Sequence, residues 1–446
     1  NVMQEKYHNS IKSSYQDPPY NTSASEIIYK NSFKHSSWLS FINDRLLLTK
    51  NLLKDDGLLC VTIDDFEFFR LKNLLENINL NHLGTIPIRN NPAGRSTTKG
   101  VSIAHEYALI YGVGENSEVG RLNRNQKQLD RYDESDEIGA FEWVNYRKPG
   151  SMRSESPTMF YPIGVINDRA ILPKMYYDVD KEIWILEEDE GRFDHILYPV
   201  DENLQERRWR WGIERIKNEI SHLKVDKDRF GRIALYSKGR INEEGILPLT
   251  WWDDKKYSST AYGTNLVKDI FVKLQSFAYP KSIFAVIDSL RVLSLSKNNT
   301  VIDIYGGSGT TAHATIKLNR EDGGNRKYIL VEMGTYFNTV TKPRIQKVIY
   351  SDNWKNGKPQ DKAGISQMFK YQVLESYEDT LNNLQLPNKT NDALLNFEEQ
   401  AQEEYLLNYM LDVETQDHLF NIQMFRNPFN YQLKVTENNE LVPTKV

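Results

Sequence analysis

The chain has 446 residues, 39% hydrophobic and 26% charged, with a net charge of −5, which is material for about three soluble domains rather than a disordered or fibrous chain. Its single cysteine, Cys60, excludes an intrachain disulfide and a cysteine-based zinc site, and its run Leu58-Leu59-Cys60-Val61 marks a buried thiol. No stretch approaches the roughly 18 to 20 apolar residues of a membrane span, and the polar start is not a signal peptide, so a reducing cytoplasm is the expected compartment.

Taken in chain order, Ile11 to Gln16 reads as a short strand that runs into Asp17-Pro18-Pro19-Tyr20. Apolar spacing predicts a helix from Trp38 to Leu53, ended by Asp55-Asp56-Gly57, then a buried strand from Leu58 to Ile63. Phe68 to Ile78 is a second helix and Glu106 to Gly112 a further strand. Such alternation implies a parallel sheet with helices on both faces. From Val113 to Pro248 the alternation fades: Tyr176 to Leu186 reads as strand or hairpin, and Glu206 to Leu223 as a basic helix. After Trp251 it resumes, with helices over Asn265 to Phe271 and Lys281 to Leu293, a strand over Thr300 to Ile304, a helix over Thr310 to Leu318 and a strand over Tyr328 to Glu332. The α/β domain is therefore expected to be split by an inserted α+β domain. Beyond Ser351 the chain is acidic, 8 Lys/Arg against 15 Asp/Glu, with helical patches such as Asn396 to Leu411.

Asp17-Pro18-Pro19-Tyr20 ends a strand, where open α/β sheets place ligands. An aromatic amine is a poor nucleophile because its lone pair is delocalised. A carboxylate accepting one amino hydrogen and a carbonyl accepting the other would favour a more tetrahedral, more reactive nitrogen. Asp17 and the Pro18 carbonyl are candidates for these acceptors, with the two prolines fixing the backbone. Tyr20 offers a face on which a base could stack. A plain Pro-Pro loop is the competing reading of these four residues alone.

The second feature is Asp303-Ile304-Tyr305-Gly306-Gly307-Ser308-Gly309-Thr310-Thr311, a strand, a glycine turn and a helix start. Glycines let the backbone approach a cofactor, and the helix N-terminus offers free N–H groups. No Gly-Lys-Ser/Thr follows, so it is not a Walker loop, and the dinucleotide spacing survives only in a variant ending at Ala312, which leaves a nicotinamide or flavin site open. Glu332 closes the next strand, 23 residues after Gly309, where a carboxylate could meet ribose hydroxyls.

Together these residues resemble the β group of DNA amino-methyltransferases, in which the catalytic motif precedes the cofactor motif. Asp17-Pro18-Pro19-Tyr20 looks like the adenine-directed form, and Asp303 to Thr311 like the cofactor motif, with Tyr305 in place of the usual Phe and Gly306 in place of Ala. Gly263-Thr264 and Phe277-Ala278-Tyr279-Pro280-Lys281-Ser282 resemble the segment before it, which also helps to hold the cofactor. Trp38 to Leu53, Asp55-Asp56-Gly57, Ile63-Asp64-Asp65 and His105-Glu106-Tyr107 resemble the modification subunits of type III restriction systems. The resemblance implies a Rossmann-like, seven-stranded-type methyltransferase sheet that uses S-adenosylmethionine to methylate the N6 amino group of a flipped adenine in double-stranded DNA. It implies Asp17, Pro18, Pro19 and Tyr20 as catalytic residues, and Asp303, Tyr305, Gly307, Ser308, Gly309, Thr310, Glu332, Thr264 and Lys281 as cofactor-binding residues. It also implies a homodimer and a helicase–nuclease restriction subunit as partner. Such subunits carry additional sequence before the catalytic motif, whereas 16 residues precede Asp17 here, so the chain is expected to be a fragment.

The expected divisions are a catalytic half over 1–114, a target-recognition domain over 115–250, a cofactor half over 251–350 and an acidic, mostly helical extension over 351–446. Within the second, Gln205 to Arg240 carries 11 Lys/Arg against 5 Asp/Glu. Arg207, Arg208, Arg210 and Trp211 are its candidate DNA contacts, through phosphates, guanine edges and stacking, against a reading as a structural amphipathic helix. Trp251-Trp252 is expected to pack between domains. His35, His82 and His105 lack metal-ligand spacing, Asp64 and Asp65 read as caps or strand ends, and no metal is expected. The rival readings are a solitary methyltransferase, a non-catalytic specificity subunit, an oxidoreductase and an RNA target.

Overall fold

The computed structural model describes residues 3–22, 35–94, 100–242, 244–271 and 279–374, with 432–437 and 440–445 as backbone. They form two compact units, one from 1–122 with 247–446 and the other from 123–246.

The first unit is built on a sheet of six strands among the described residues: β1 (Ile11–Gln16), β2 (Leu53–Ile63), β3 (Asn81–Ile88), β4 (Glu106–Gly112), β5 (Thr300–Asp303) and β6 (Lys327–Leu330). Their order is β6-β5-β1-β2-β4-β3. The expected parallel pairing holds from β6 to β2. β4 departs from it, running antiparallel to both β2 and β3. β3 itself was not anticipated. It carries Gly84 and Pro87, which weaken a strand signal and are tolerated because β3 is an edge strand.

Among the described residues, five helices of ten residues or more pack on the sheet: α1 (His35–Leu52), α2 (Phe68–Asn77), α3 (Ile283–Val292), α4 (Thr310–Asp322) and α5 (Thr341–Tyr350). Side chains of β2 alternate between two cores. Leu58 and Cys60 pack with α3 and with Ala314 and Leu318 of α4. Leu59, Val61 and Ile63 pack with Trp38, Ile42 and Leu46 of α1 and Leu71 and Leu75 of α2. Burial on both faces explains why the strand reads as a continuous apolar run. Asp55-Asp56-Gly57, expected to end α1, instead lies inside β2. There the register moves from Ile11 opposite Leu53 to Ser13 opposite Leu58, so the acidic pair sits on an irregular stretch with both side chains outward.

β1 and β5 are neighbours, and their following helices lead to strands on opposite sides of the pair. This is a topological switch point, and the crevice at its carboxyl edge is where doubly wound sheets bind ligands. Asp17 leaves β1 there and Asp303 closes β5.

The second unit is mainly antiparallel. It holds a four-stranded sheet from Glu134–Asp136, Gly139–Asn145, Lys224–Lys227 and Ile233–Arg240, and a three-stranded one from Ile163–Ile166, Arg169–Ile171 and His195–Leu197. The anticipated hairpin appears as Met175–Asp178 with Ile183–Leu186. The basic helix over Glu206 to Leu223 is corrected: Arg207–Trp209 is a strand, Ile213–Glu219 a short helix and Ile220–His222 a 3-10 turn. Gly212 caps the short helix from outside, which breaks the segment there. Trp252 belongs to the core of the first unit, stacked on Tyr257, whereas Trp251 is 58% exposed.

Residues 351–374 contain a small strand pair, Trp354–Lys355 with Lys358–Pro359, and the chain ends in another, Gln432–Glu437 with Glu440–Lys445. The helical patch over Asn396 to Leu411 lies outside the described residues.

Candidate active site

The glycine turn is held from within and from below. Asp303, buried at the end of β5, accepts the Tyr305 amide at 2.9 Å and the Thr311 hydroxyl at 2.5 Å. Burial, with some relief from those two donors, pushes its carboxyl up to about 7, and the Asp17 and Glu332 carboxylates push the same way. Gly309 has φ +80°, a left-handed conformation that an L side chain would strain, and it delivers the chain into α4 at Thr310. Glu332, just beyond β6, accepts the Gly307 amide and the Gly334 amide, each at 2.7 Å, so its carboxylate ties the turn to the next strand.

Beneath the turn lies Arg344 of α5, fully buried. It donates only to neutral groups: the Ser308 carbonyl (3.2 Å) and hydroxyl (2.9 Å), the Thr310 hydroxyl (3.0 Å) and His313 Nδ1 (3.2 Å). Its Nε has no partner among the described residues. Burial alone pushes this guanidinium down to about 9. Burial, followed by Arg344 itself, holds His313 well below its ordinary value. No sequence motif singled out Arg344.

The Asp17-Pro18-Pro19-Tyr20 loop is held by side chains from elsewhere. Thr62 of β2 donates to Asp17 Oδ1 at 2.6 Å. The Trp38 indole donates to the Pro19 carbonyl at 2.8 Å. Asn21, which follows with φ 57°, donates to the buried Glu67 at 2.6 Å. The Tyr20 hydroxyl donates to Glu106 Oε2 at 2.9 Å and accepts from the Lys281 ammonium. Lys281 also pairs with Glu106 and lies 3.1 Å from Asp17 Oδ1. Burial and the carboxylates of Asp17 and Glu106 push the Tyr20 phenol well above its ordinary value. Burial opposes the charge of Lys281, but Asp17 and Glu106 outweigh it and raise that ammonium. Among the described residues nothing donates to the Pro18 carbonyl or to Asp17 Oδ2.

One cleft joins the two sides, with Asp17 and Lys281 on one wall and Asp303, Tyr305, Gly307, Ser308 and Thr310 on the other. Thr264 is not among the residues that line it. Its neighbour Gly263 packs so tightly on the Pro280 carbonyl that a β-carbon would stand 2.2 Å from it, which joins the two segments expected to act together. Phe277 and Ala278 of that pair lie outside the described residues. Asp64 accepts the Phe66 amide at 3.0 Å, and Asp65 accepts the Tyr107 hydroxyl at 2.8 Å.

The expected DNA contacts lie in the second unit, largely occupied with its internal packing. Arg207 pairs with Asp201 at 2.8 Å, and Arg208 reaches the Met159 sulfur with its Nε buried. Trp209, between them and Arg210, is a core residue. Trp211 packs edge-on against Tyr146 beneath the Arg215 guanidinium, and Arg210, although exposed, donates to the Asn145 carbonyl at 2.7 Å.

The chain is similar to the type II methyltransferase M.KpnI of Klebsiella pneumoniae, at 31% identity over 74% of this chain and 76% of that protein. It is similar to the EcoPI Mod subunit of a type III restriction-modification enzyme from Escherichia phage P1, at 28% identity over 78% of this chain and 60% of that subunit. A solved structure, the cytosine-N4-specific PvuII DNA methyltransferase, aligns over 76% of this chain and 82% of that one, at 12% identity and a TM-score of 0.37. Residues 11–342 match the N6/N4 methyltransferase family described as DNA methylase, and the chain belongs to that family.

Proposed function

We propose that this DNA methylase transfers a methyl group from S-adenosylmethionine to the N6 amino group of a flipped adenine in double-stranded DNA. The observation that carries this reading is the cleft shared by Asp17 and the glycine turn. The residues suit the donor, because the carboxylates of Asp17 and Asp303 face a space that would receive a cationic sulfonium. When bound, S-adenosylmethionine supplies an electrophilic methyl whose sulfonium charge is lost on transfer, so no acid is needed at the leaving group. Asp303, Tyr305, Gly307, Ser308, Gly309, Thr310 and Glu332 are the proposed donor-binding residues, with Thr264 behind them.

The loop does the rest by position. Asp17 Oδ1 is occupied by Thr62 and Lys281, which leaves Oδ2 to accept one amino hydrogen. The Pro19 carbonyl is occupied by Trp38, which leaves the Pro18 carbonyl to accept the other. The Tyr20 ring, anchored through its hydroxyl, stacks on the base. Asp17, rather than Ser, at the head of the tetrapeptide favours adenine by resemblance.

The second unit is the proposed target-recognition domain, the flanking segments are the catalytic and cofactor halves, and residues 351–446 are an extension. The similarity to a Mod subunit supports a modification subunit partnered by a restriction subunit, and the homodimer is proposed on the family resemblance alone. The similarity to M.KpnI favours a second reading, a methyltransferase with no such partner, and a helicase–nuclease gene beside this one would decide for the first. Methylation-aware sequencing of DNA from cells expressing the protein should show N6-methyladenine at one sequence context; unmodified adenine throughout would overturn the proposal.

A further inference from the structure

The charges around Asp17 are unbalanced. The cleft and the groups behind it bring together Asp17 from the end of β1, Glu106 at the start of β4, Asp303 at the end of β5 and, beyond the turn, Glu332. Tyr15 and Tyr20 face Asp17 from β1 and its loop, and Cys60 from β2; all three are neutral near pH 7. Among the described residues that line the cleft, Lys281 is the one cationic side chain. Its side chain is 11% exposed, and its ammonium reaches Asp17, Glu106 and the Tyr20 hydroxyl together. Those contacts are to the base-side loop and to Glu106 of β4. None is to the glycine turn, although the family resemblance puts this residue with the donor.

We propose that Lys281 is a positioning residue for methyl transfer: its ammonium holds the Asp17 carboxylate as a hydrogen-bond acceptor against the neighbouring carboxylates, and Glu106 fixes Lys281 and the Tyr20 hydroxyl in place. This rests on the reading of Asp17 as the group that accepts an amino hydrogen of adenine. The physical reason is that like charges sharing a buried site favour protonation, and a protonated carboxyl offers a donor where the amine needs an acceptor. Removal of the Lys281 ammonium should therefore move the acid limb of the rate profile up, which loss of packing would not do.

The test measures transfer of labelled methyl groups from saturating S-adenosylmethionine to unmodified genomic DNA across pH, with donor binding measured by calorimetry. The full chain carries Lys281→Met, Lys281→Arg or Glu106→Gln. For Lys281→Met, kcat should fall about 100-fold, the effect of roughly 1 Å of misplacement, and the acid limb should move up by about 1 pH unit or more. Donor affinity should be unchanged, and Lys281→Arg should recover part of kcat. Glu106→Gln, which frees Lys281 and the Tyr20 hydroxyl, should also lower kcat with donor affinity unchanged. A rise in donor Kd with kcat retained at saturation would make Lys281 a donor ligand and overturn the proposal, as would a fall in kcat with an unmoved acid limb. If Lys281→Met does not fold, Glu106→Gln decides alone, because a kcat retained at its wild-type value overturns it. A wild-type chain that methylates no adenine would instead sink the underlying function.

Discussion

The two walls of the cleft are held in different ways. The glycine turn is tied within one stretch of chain: Thr311 and the Tyr305 amide on Asp303, Glu332 one strand later and Arg344 from the next helix. The Asp17–Tyr20 loop is held from across the chain, by Trp38, Thr62, Glu106 and Lys281. The turn meets its carboxylates with backbone amides and a hydroxyl and meets the Arg344 guanidinium with neutral acceptors, whereas the loop uses a buried charge pair. A locally tied turn suits a site that binds, and a loop clamped from several elements suits a site whose geometry must hold during chemistry. Damage to the loop should therefore appear in kcat, and damage to the turn in donor affinity.

The largest expected effect tests the loop directly. Asp17→Ala should lower kcat by about 100- to 1000-fold, the cost of losing one preorganised charge-stabilising group, while calorimetry shows donor binding intact. Retained transfer would end the comparison, because the loop would then have no chemical role. Trp38→Phe removes the donor to the Pro19 carbonyl and keeps most of the packing. It should lower stability by roughly 1–3 kcal/mol and reduce kcat about tenfold, a cost of about 1.4 kcal/mol in the barrier, with donor Kd unchanged. Both are read from denaturant unfolding and single-turnover rates.

On the other wall, Arg344→Met strips the donor from Ser308, Thr310 and His313 together. It should weaken donor binding about tenfold, near 1.4 kcal/mol, and leave kcat at saturation close to wild type. A fall in kcat alone would show that the two walls are not separable. The smallest effect concerns Asp303. Its folded-state value of about 7 lies above its ordinary 3.8. The folded chain therefore binds the extra proton between those values, and stability falls as pH rises through that interval. Asp303→Asn should flatten that fall, seen as unfolding midpoints that converge with wild type at acid pH and exceed it above neutrality.

The same contrast explains what the sequence reveals. The glycine turn, its strand and its helix are contiguous, so Asp303 to Thr311 could be read as one unit. The loop tetrapeptide was legible too, but its holders were not: Thr62 looks like an ordinary strand residue, Trp38 and Glu106 stand only within resembling segments, and Lys281 reads from its motif as a cofactor residue until the fold brings it to Asp17. Glu106 stood out only within His105-Glu106-Tyr107, as part of a resemblance. β3 was hidden by Gly84 and Pro87, which only an edge strand tolerates. The segment Glu206 to Leu223 was misread because its arginines suggested a solvated helix face, whereas Trp209 alternates inward from a strand and Arg207 turns back to Asp201. Charge composition reports a face only when the periodicity is known, and tertiary pairing set it here.

The adjacency of β1 and β5 has a consequence for how the chain is made. Ser13 pairs with Val301, so one edge of β1 awaits a partner synthesised roughly 290 residues later. At ribosomal speeds of about 5–20 residues per second, that edge is open for roughly 15 to 60 s, and an open strand edge is a template for mispairing. β1 meets this with a composition of low stickiness, Lys12, Ser13, Ser14 and Gln16 around Ile11 and Tyr15. The inserted unit, 123–246, thus lengthens the time for which the nascent chain must remain soluble with its sheet unfinished.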